Sequence, residues 1–147
     1  MRIMVFGFHS KMMIGVIKSL RDRSIETIYW VAGKQDFMNE VFDNKKLFPN
    51  TVFHNINDAV MGIPAREMDI SFFKPLGQDF VKEFFECEAR SLLMMESVDR
   101  TEVPLVKKVH LYHTYLKYWY GVLTTLKPDA IIFTDVPHMS FKYVVYC

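Results

Sequence analysis

Ile3-Met4-Val5-Phe6-Gly7-Phe8-His9-Ser10 lies next to the amino terminus, and the reading of these eight residues decides the fold. Ile3 to Phe6 is a continuous apolar run with β-branched and aromatic members, the pattern of a strand covered on both faces, and Gly7 closes it. Ser10 then offers an N-cap. Met12, Met13, Val16, Ile17 and Leu20 recur at helical spacing over 11–20, until the charged cluster Arg21-Asp22-Arg23 ends the pattern. A second apolar run over 25–31, with Ile28, Tyr29, Trp30 and Val31 together, stops at Gly33. Strand, helix and strand at this spacing form a βαβ unit, which is right-handed in nearly all cases and implies a parallel sheet.

Outward from this unit the chain is less regular as far as residue 65, where a short helix around 37–42 and a short strand over 51–54 are expected. Residues 69–73 form another short strand or an extended segment entering Lys74-Pro75, because the residue before a proline is pushed out of the helical region. Two long helical patterns follow. Phe80, Val81, Phe84, Phe85, Leu92, Met95 and Val98 mark the first over 77–98, and Leu105, Val109, Tyr112, Leu116, Trp119, Leu123 and Leu126 mark the second. Residues 76–100 hold six acids and three bases, and residues 101–127 one acid and four bases. That asymmetry suits pairing of the two helices, an anionic partner for the second, or simply two solvated faces.

After Lys127-Pro128, residues 129–135 repeat the buried-strand pattern, Val136-Pro137-His138-Met139 make a loop, and 140–147 open a helix. The expected fold is therefore α/β: an open parallel sheet of about four strands with flanking helices, two of them long and placed before the last strand. A helix cut after two turns would leave Phe141, Val144 and Val145 with little to complete them. The expectation is a single Rossmann-like amino-terminal domain, residues 1–147, of a truncated chain whose carboxyl-terminal domain is missing.

Composition bounds the function. Of 147 residues, 50% are apolar and 24% charged, which excludes disorder, collagen and coiled coil. With 18 basic and 17 acidic residues the net charge is +1, so no nucleic-acid partner is expected and any anion site is local. The first apolar stretch is too short for a signal peptide, and no run approaches the roughly 18–20 residues that span a bilayer, so no transmembrane segment is expected. Thirteen Phe, ten Met and seven Tyr point to a bulky core or a docking surface. Cys87 and Cys147 are too few for a disulfide scaffold, so a reducing cytoplasm fits, with Cys87 a packing residue between Glu86 and Glu88.

In open parallel sheets ligands bind beyond the carboxyl ends of the strands, where strand order reverses. Two loops qualify. Gly7, His9 and Ser10 are candidate ligand-binding residues, because glycine permits close backbone approach and a helix start offers free N–H groups to an anion. A plain βα turn capped by Ser10 is the alternative. Asp135 and His138 are candidate catalytic residues, a carboxylate and an imidazole at a strand end, with a loop-capping aspartate and a solvated histidine as the alternative. His110 and His113, three apart on the second long helix, have a metal-compatible spacing but lack a His-Glu-x-x-His context. Packing or a polar helix edge is the expectation there, and no metal is expected. His54 is a lone histidine at the end of a weak strand.

The segments His110-Leu111-Tyr112-His113, Tyr118-Trp119-Tyr120-Gly121-Val122-Leu123, Leu126-Lys127-Pro128-Asp129 and Phe133-Thr134-Asp135-Val136-Pro137-His138 resemble bacterial capsular and surface polysaccharide biosynthesis proteins. The amino-terminal halves of that family are similar to the first Rossmann-like domain of GT-B glycosyltransferases. The resemblance covers mostly residues 69–147, and the Pro-His pair is its most particular element. It implies an acceptor-side domain that takes a saccharide or glycolipid, no cofactor of its own, and a nucleotide-sugar donor held by the missing carboxyl-terminal domain. It also implies a cytoplasmic location, peripheral at the inner membrane at most, and a fragment inactive by itself, with a histidine or aspartate as base on an acceptor hydroxyl. The alternative class is a non-catalytic α/β binding or assembly module. A phosphate-accepting receiver domain lacks its acidic pair here, since Gly7 and the residues after it stand in that place. A dinucleotide oxidoreductase lacks its G-x-G-x-x-G fingerprint.

Overall fold

The computed structural model describes residues 1–7, 11–33, 46–97, 102–133 and 140–147. Strand β1 (Arg2–Phe6) is followed by helix α1 (Lys11–Asp22), β2 (Glu26–Ala32), β3 (Val52–Asn55) and the short helix α2 (Ile56–Val60). A 3₁₀ turn (Ile70–Phe72), α3 (Gln78–Glu83), α4 (Phe85–Ser97) and the long α5 (Leu105–Leu126) lead to β4 (Ala130–Phe133). The chain then enters α6 (Ser140–Tyr143) and a second 3₁₀ turn (Val144–Tyr146). Among the described residues the strands form one sheet in the order β3-β2-β1-β4, every pair parallel. This is the order of the first four strands of a Rossmann-type sheet, so the expected α/β class holds.

Alternation along the strands divides the core in two. Ile3, Val5, Trp30, Ala32, Phe53 and Ile132 face α1 through Ile14 and Ile17. Met4, Phe6, Tyr29, Val31, Ile131 and Phe133 face the layer built by α4, α5 and α6. Both faces of β1 and β2 are apolar because both are covered, the condition under which parallel strands read as unbroken apolar runs. Burying a large side chain contributes about 1.5–3 kcal/mol, so Trp30, Trp119, Tyr29, Tyr112 and Tyr118, all inaccessible to solvent, carry much of the core. Other bulky residues, among them Met12, Met61, Phe72 and Phe85, are exposed.

Four expectations change. The helix expected over 77–98 is broken at Phe84 (φ −103°, ψ 22°) into α3 and α4. The break lets Phe80 turn to the Tyr120 ring, 5.0 Å away, while Cys87, Ser91 and Met95 point into the core. One straight helix cannot aim both groups correctly. Residues 69–73 are not a strand, because the Asp69 carboxylate accepts from the Ser71 amide at 2.9 Å and caps a 3₁₀ turn. Phe141 and Val144, expected to lack partners, are buried. The Phe141 ring lies 5.1–5.9 Å from those of Phe6, Tyr115, Tyr118 and Trp119, and its carbonyl accepts from Trp119 Nε1 at 2.9 Å.

The fourth change concerns the cysteines. Cys87 and Cys147 are joined in a disulfide with Cα atoms 6.0 Å apart, because α6 runs back along α4 and delivers residue 147 to it. Linear distance of 60 positions hid a spatial neighbour. The helix expected at 37–42 and the Ser10 cap lie outside the described residues.

The charge asymmetry of the long helices is used for pairing. Glu96 of α4 forms an ion pair with Lys108 of α5, whose side chain is only 4% exposed, and Glu88 Oε2 lies 3.9 Å from His113 Nε2. Ascending positions on α4 meet descending positions on α5, so the helices are antiparallel. At the foot of α5, Lys127 adopts a left-handed conformation (φ 47°) and ends the helix. Asp129 then clamps β4 to β1: its amide donates to the Arg2 carbonyl at 2.8 Å, and its carboxylate accepts from the Arg2 amide at 2.7 Å. Lys127-Pro128-Asp129, a motif of the family resemblance, serves here to stop a helix and set a strand register.

Candidate functional site at the carboxyl edge of the sheet

β1 lies between β2 and β4, with Phe6 opposite Val31 on one side and Phe133 on the other. From the end of β1 the chain goes to α1 on one face of the sheet. After β4 it goes to α6 on the opposite face, where Phe141 and Val144 are buried. Connections that leave neighbouring strands for opposite faces open a crevice between them, and this is where ligands sit in open α/β sheets. Adjacent parallel strands are about 5 Å apart, so side chains from both connections can meet one ligand.

Gly7 stands at the mouth of this crevice. Its amide donates to the Val31 carbonyl at 2.9 Å, the last bond before the chain turns away. Its φ of +78° is a conformation that other residues adopt at a cost of about 1–2 kcal/mol. Of the candidate residues, Gly7 is therefore placed at the switch between β1 and β4. His9, Ser10, Asp135 and His138 lie outside the described residues. What is established for them is that the segments carrying them begin at Phe6 and Phe133, which are partners in register.

Beneath the carboxyl ends of β1 and β4 the core is aromatic. The Phe6 ring lies 5.5 Å from that of Phe133, 5.6 Å from that of Trp119 and 5.9 Å from that of Phe141. Lys142 Nζ stands 5.7 Å from the centre of the Phe6 ring, a cation–π distance. Sequence reading missed Lys142 as a group near this edge. No signal could have found it, because its position depends on α6 folding back over the last residue of β1.

His54 was also incompletely read. It is buried on the face covered by α5, and its Nδ1 lies 2.7 Å from the Tyr29 hydroxyl and 2.8 Å from the Tyr118 hydroxyl, which are themselves 2.7 Å apart. Two hydroxyls and one ring nitrogen cannot fill all three contacts. With the proton on Nε2, Tyr118 donates to Tyr29 and Tyr29 to Nδ1, and the third contact has no proton. With the proton on Nδ1, that nitrogen donates to one tyrosine and can accept from neither. In both cases the buried Nε2 has no protein partner. Burial holds His54 below its usual value of 6.5, opposed by the charges of Asp58 and Glu67, and pushes both tyrosines well above theirs. The cluster ties β2, β3 and α5 together.

Among the described residues, no group of three or more His, Cys, Asp or Glu side chains could hold a metal ion. His110 and His113 line a pocket with apolar residues, and Glu88 is the carboxylate that meets His113. A cavity of about 240 Å³ beside Phe48, Asn50 and Thr51 lies at the amino edge of the sheet, the end that the crevice geometry does not serve. No helix among the described residues is long and apolar enough to cross a membrane. Comparison of the chain with protein-family models, with curated proteins and with solved structures found no match.

Proposed function

We propose that this chain is the acceptor-side part of a glycosyltransferase-like enzyme of surface polysaccharide assembly, taking a saccharide or glycolipid in the crevice between β1 and β4. The observation that supports the reading is the reversal of strand order at Phe6 and Phe133, with the two connections leaving to opposite faces. Gly7 clears the approach to the backbone there, and the Lys142 ammonium adds a cation nearby. The family resemblance of residues 110–138 supplies the reaction class. In this reading His138 or Asp135 takes the proton from the acceptor hydroxyl as that oxygen attacks the sugar carbon. The nucleotide leaves with the bonding electrons, held by a second domain outside this chain.

Two measurements test the proposal. In an enzyme that contains this chain and a donor domain, His138→Ala should lower transfer by about 100-fold or more if the imidazole is the base. A change of only a few-fold would assign it to positioning, and transfer catalysed by residues 1–147 alone would overturn the division between two domains. An NMR titration of the chain with oligosaccharide acceptors should move the amides of Gly7 and Phe133. A non-catalytic assembly module is the competing reading, favoured by exposed Phe85 and Leu93 on α4 and Leu105 and Val106 on α5. It predicts no shift at Gly7.

A further inference from the structure

The outer side of α5, away from the crevice, carries a second concave feature. His110, His113 and Lys117 stand at i, i+3 and i+7, within one turn-wide stripe of the helix. Facing them are Pro75 and Leu76 of the segment after the first 3₁₀ turn and Val81 of α3, and the space between has a volume of about 240 Å³. Phe73 seats that segment on the helix. A Cβ at Gly121 would come within 2.7 Å of its ring, so the contact is possible only because position 121 has no side chain.

The two walls differ in chemistry. The wall of the 75–81 segment is apolar. The α5 wall presents two imidazoles and an ammonium, and Lys117 is half-buried with no carboxylate within ion-pair distance among the described residues. His113 Nε2 is occluded from solvent and makes no hydrogen bond, since Glu88 Oε2 at 3.9 Å is beyond reach. Thr114 adds no free donor, because its hydroxyl donates to the His110 carbonyl at 3.0 Å. Glu88 already stands beside His113, so the cation on this wall that has no carboxylate is Lys117, and an anion entering the pocket would supply its counter-charge.

We propose that this pocket binds a small organic anion, a carboxylate or phosphate monoester, with its charged head on the Lys117 ammonium and its apolar body against Pro75, Leu76 and Val81. The volume is below the roughly 300–1,000 Å³ of drug-sized sites, which restricts the ligand to about the size of a single ring. The site is independent of the proposed transferase reading, because it shares no residue with the β1/β4 crevice.

The test is a ¹H–¹⁵N NMR titration of the whole chain with phenyl phosphate and with benzoate, and with inorganic phosphate as the third arm. Phenyl phosphate or benzoate should shift Leu76, Val81, His110 and Lys117 while leaving Gly7 unmoved, and whichever binds more tightly identifies the head group. Lys117→Met, which keeps the aliphatic stem, should weaken binding by about tenfold or more, and Leu76→Ser should weaken the aromatic ligands but not inorganic phosphate. Lys82→Met is the control, since Lys82 already pairs with Asp79. Far-UV circular dichroism confirms that each variant folds. Affinity weaker than about 1 mM for all three, or binding that Lys117→Met leaves intact, would overturn the proposal. Equal binding of inorganic phosphate and phenyl phosphate would overturn the role of the apolar wall.

Discussion

The Tyr29 hydroxyl lies 2.7 Å from His54 Nδ1, and the same hydroxyl lies 2.7 Å from that of Tyr118, so one side chain of β2 holds both its neighbouring strand and the long helix. Burial favours the neutral imidazole here. Protonation leaves a buried charge and, in the tautomer where Nδ1 accepts, also removes the acceptor that Tyr29 uses. Because the folded pKa of His54 is depressed, the unfolded chain binds the proton more readily below about pH 6.5. Stability should therefore be full above that pH and fall as pH drops from there toward the depressed folded value. Urea unfolding of the wild type and His54→Gln between pH 5 and 8 measures it. An equal pH slope in the two proteins would exclude His54 as the source.

The ring of three contacts also sets an expectation for mutations. Tyr118→Phe removes one of only two fillable hydrogen bonds and should cost about 0.5–1.5 kcal/mol. Tyr29→Phe likewise leaves one, from Tyr118 to Nδ1 at 2.8 Å, so it should cost about as much, and the double variant should cost more than the sum because buried Nδ1 is then left without a partner as well. Additive losses in a double-mutant cycle would contradict the shared network.

The Cys87–Cys147 bond closes a loop over a separation of 60 positions and ties the carboxyl-terminal turn to α4. Reduction, or Cys147→Ser, should destabilise the chain by about 2–4 kcal/mol. Phe141 should then become more accessible, since α6 loses its covalent tether. Thiol titration of the native, non-reduced protein provides the direct check: two reactive thiols would contradict the pairing.

Glycine substitutions within helices should differ in sign. Nothing stands within 4 Å of a Cβ built on Gly15 of α1, so Gly15→Ala should stabilise by roughly 0.5–1 kcal/mol through helix propensity. Gly121→Ala drives a methyl into Phe73 and should destabilise by about 1–3 kcal/mol despite the same propensity gain. Thermal melts of the two variants decide the matter, and a stabilising Gly121→Ala would mean that Phe73 does not seat there.

At the crevice, Gly7→Ala should cost about 1–2 kcal/mol because φ is +78°. Gly7→Asn should cost less, since asparagine tolerates that region better. Chemical denaturation of the two variants tests the order, and equal stability to wild type would show that the turn after β1 relaxes without penalty.

The α/β class and the four strands were legible because their evidence is local. Ile3 to Phe6 and Ala130 to Phe133 are unbroken apolar runs, the pattern of strands with a layer packed on each face. The boundaries of α5 were equally plain, since 22 residues of helical periodicity leave little room for another period. The break at Phe84 was not legible, because α3 and α4 together preserve an apolar stripe and only the positions of Tyr120 and the core show that it must bend.

The site divides in the same way. Sequence pattern alone placed Gly7 at a strand end, since a glycine closing a buried run before a helix is a local signal. It did not place β4 beside β1, because strand order is set by which faces the crossovers cover, and that is a property of the assembled layers. Tyr29, His54 and Tyr118, the Cys87–Cys147 pair, and Lys142 over Phe6 were invisible for the same physical reason. Each is a contact between segments far apart in the chain, and residues distant in sequence carry no periodicity in common. What the sequence by itself determined is which segments are strands and helices and which faces are apolar; the tertiary structure alone decided which polar groups those apolar faces enclose.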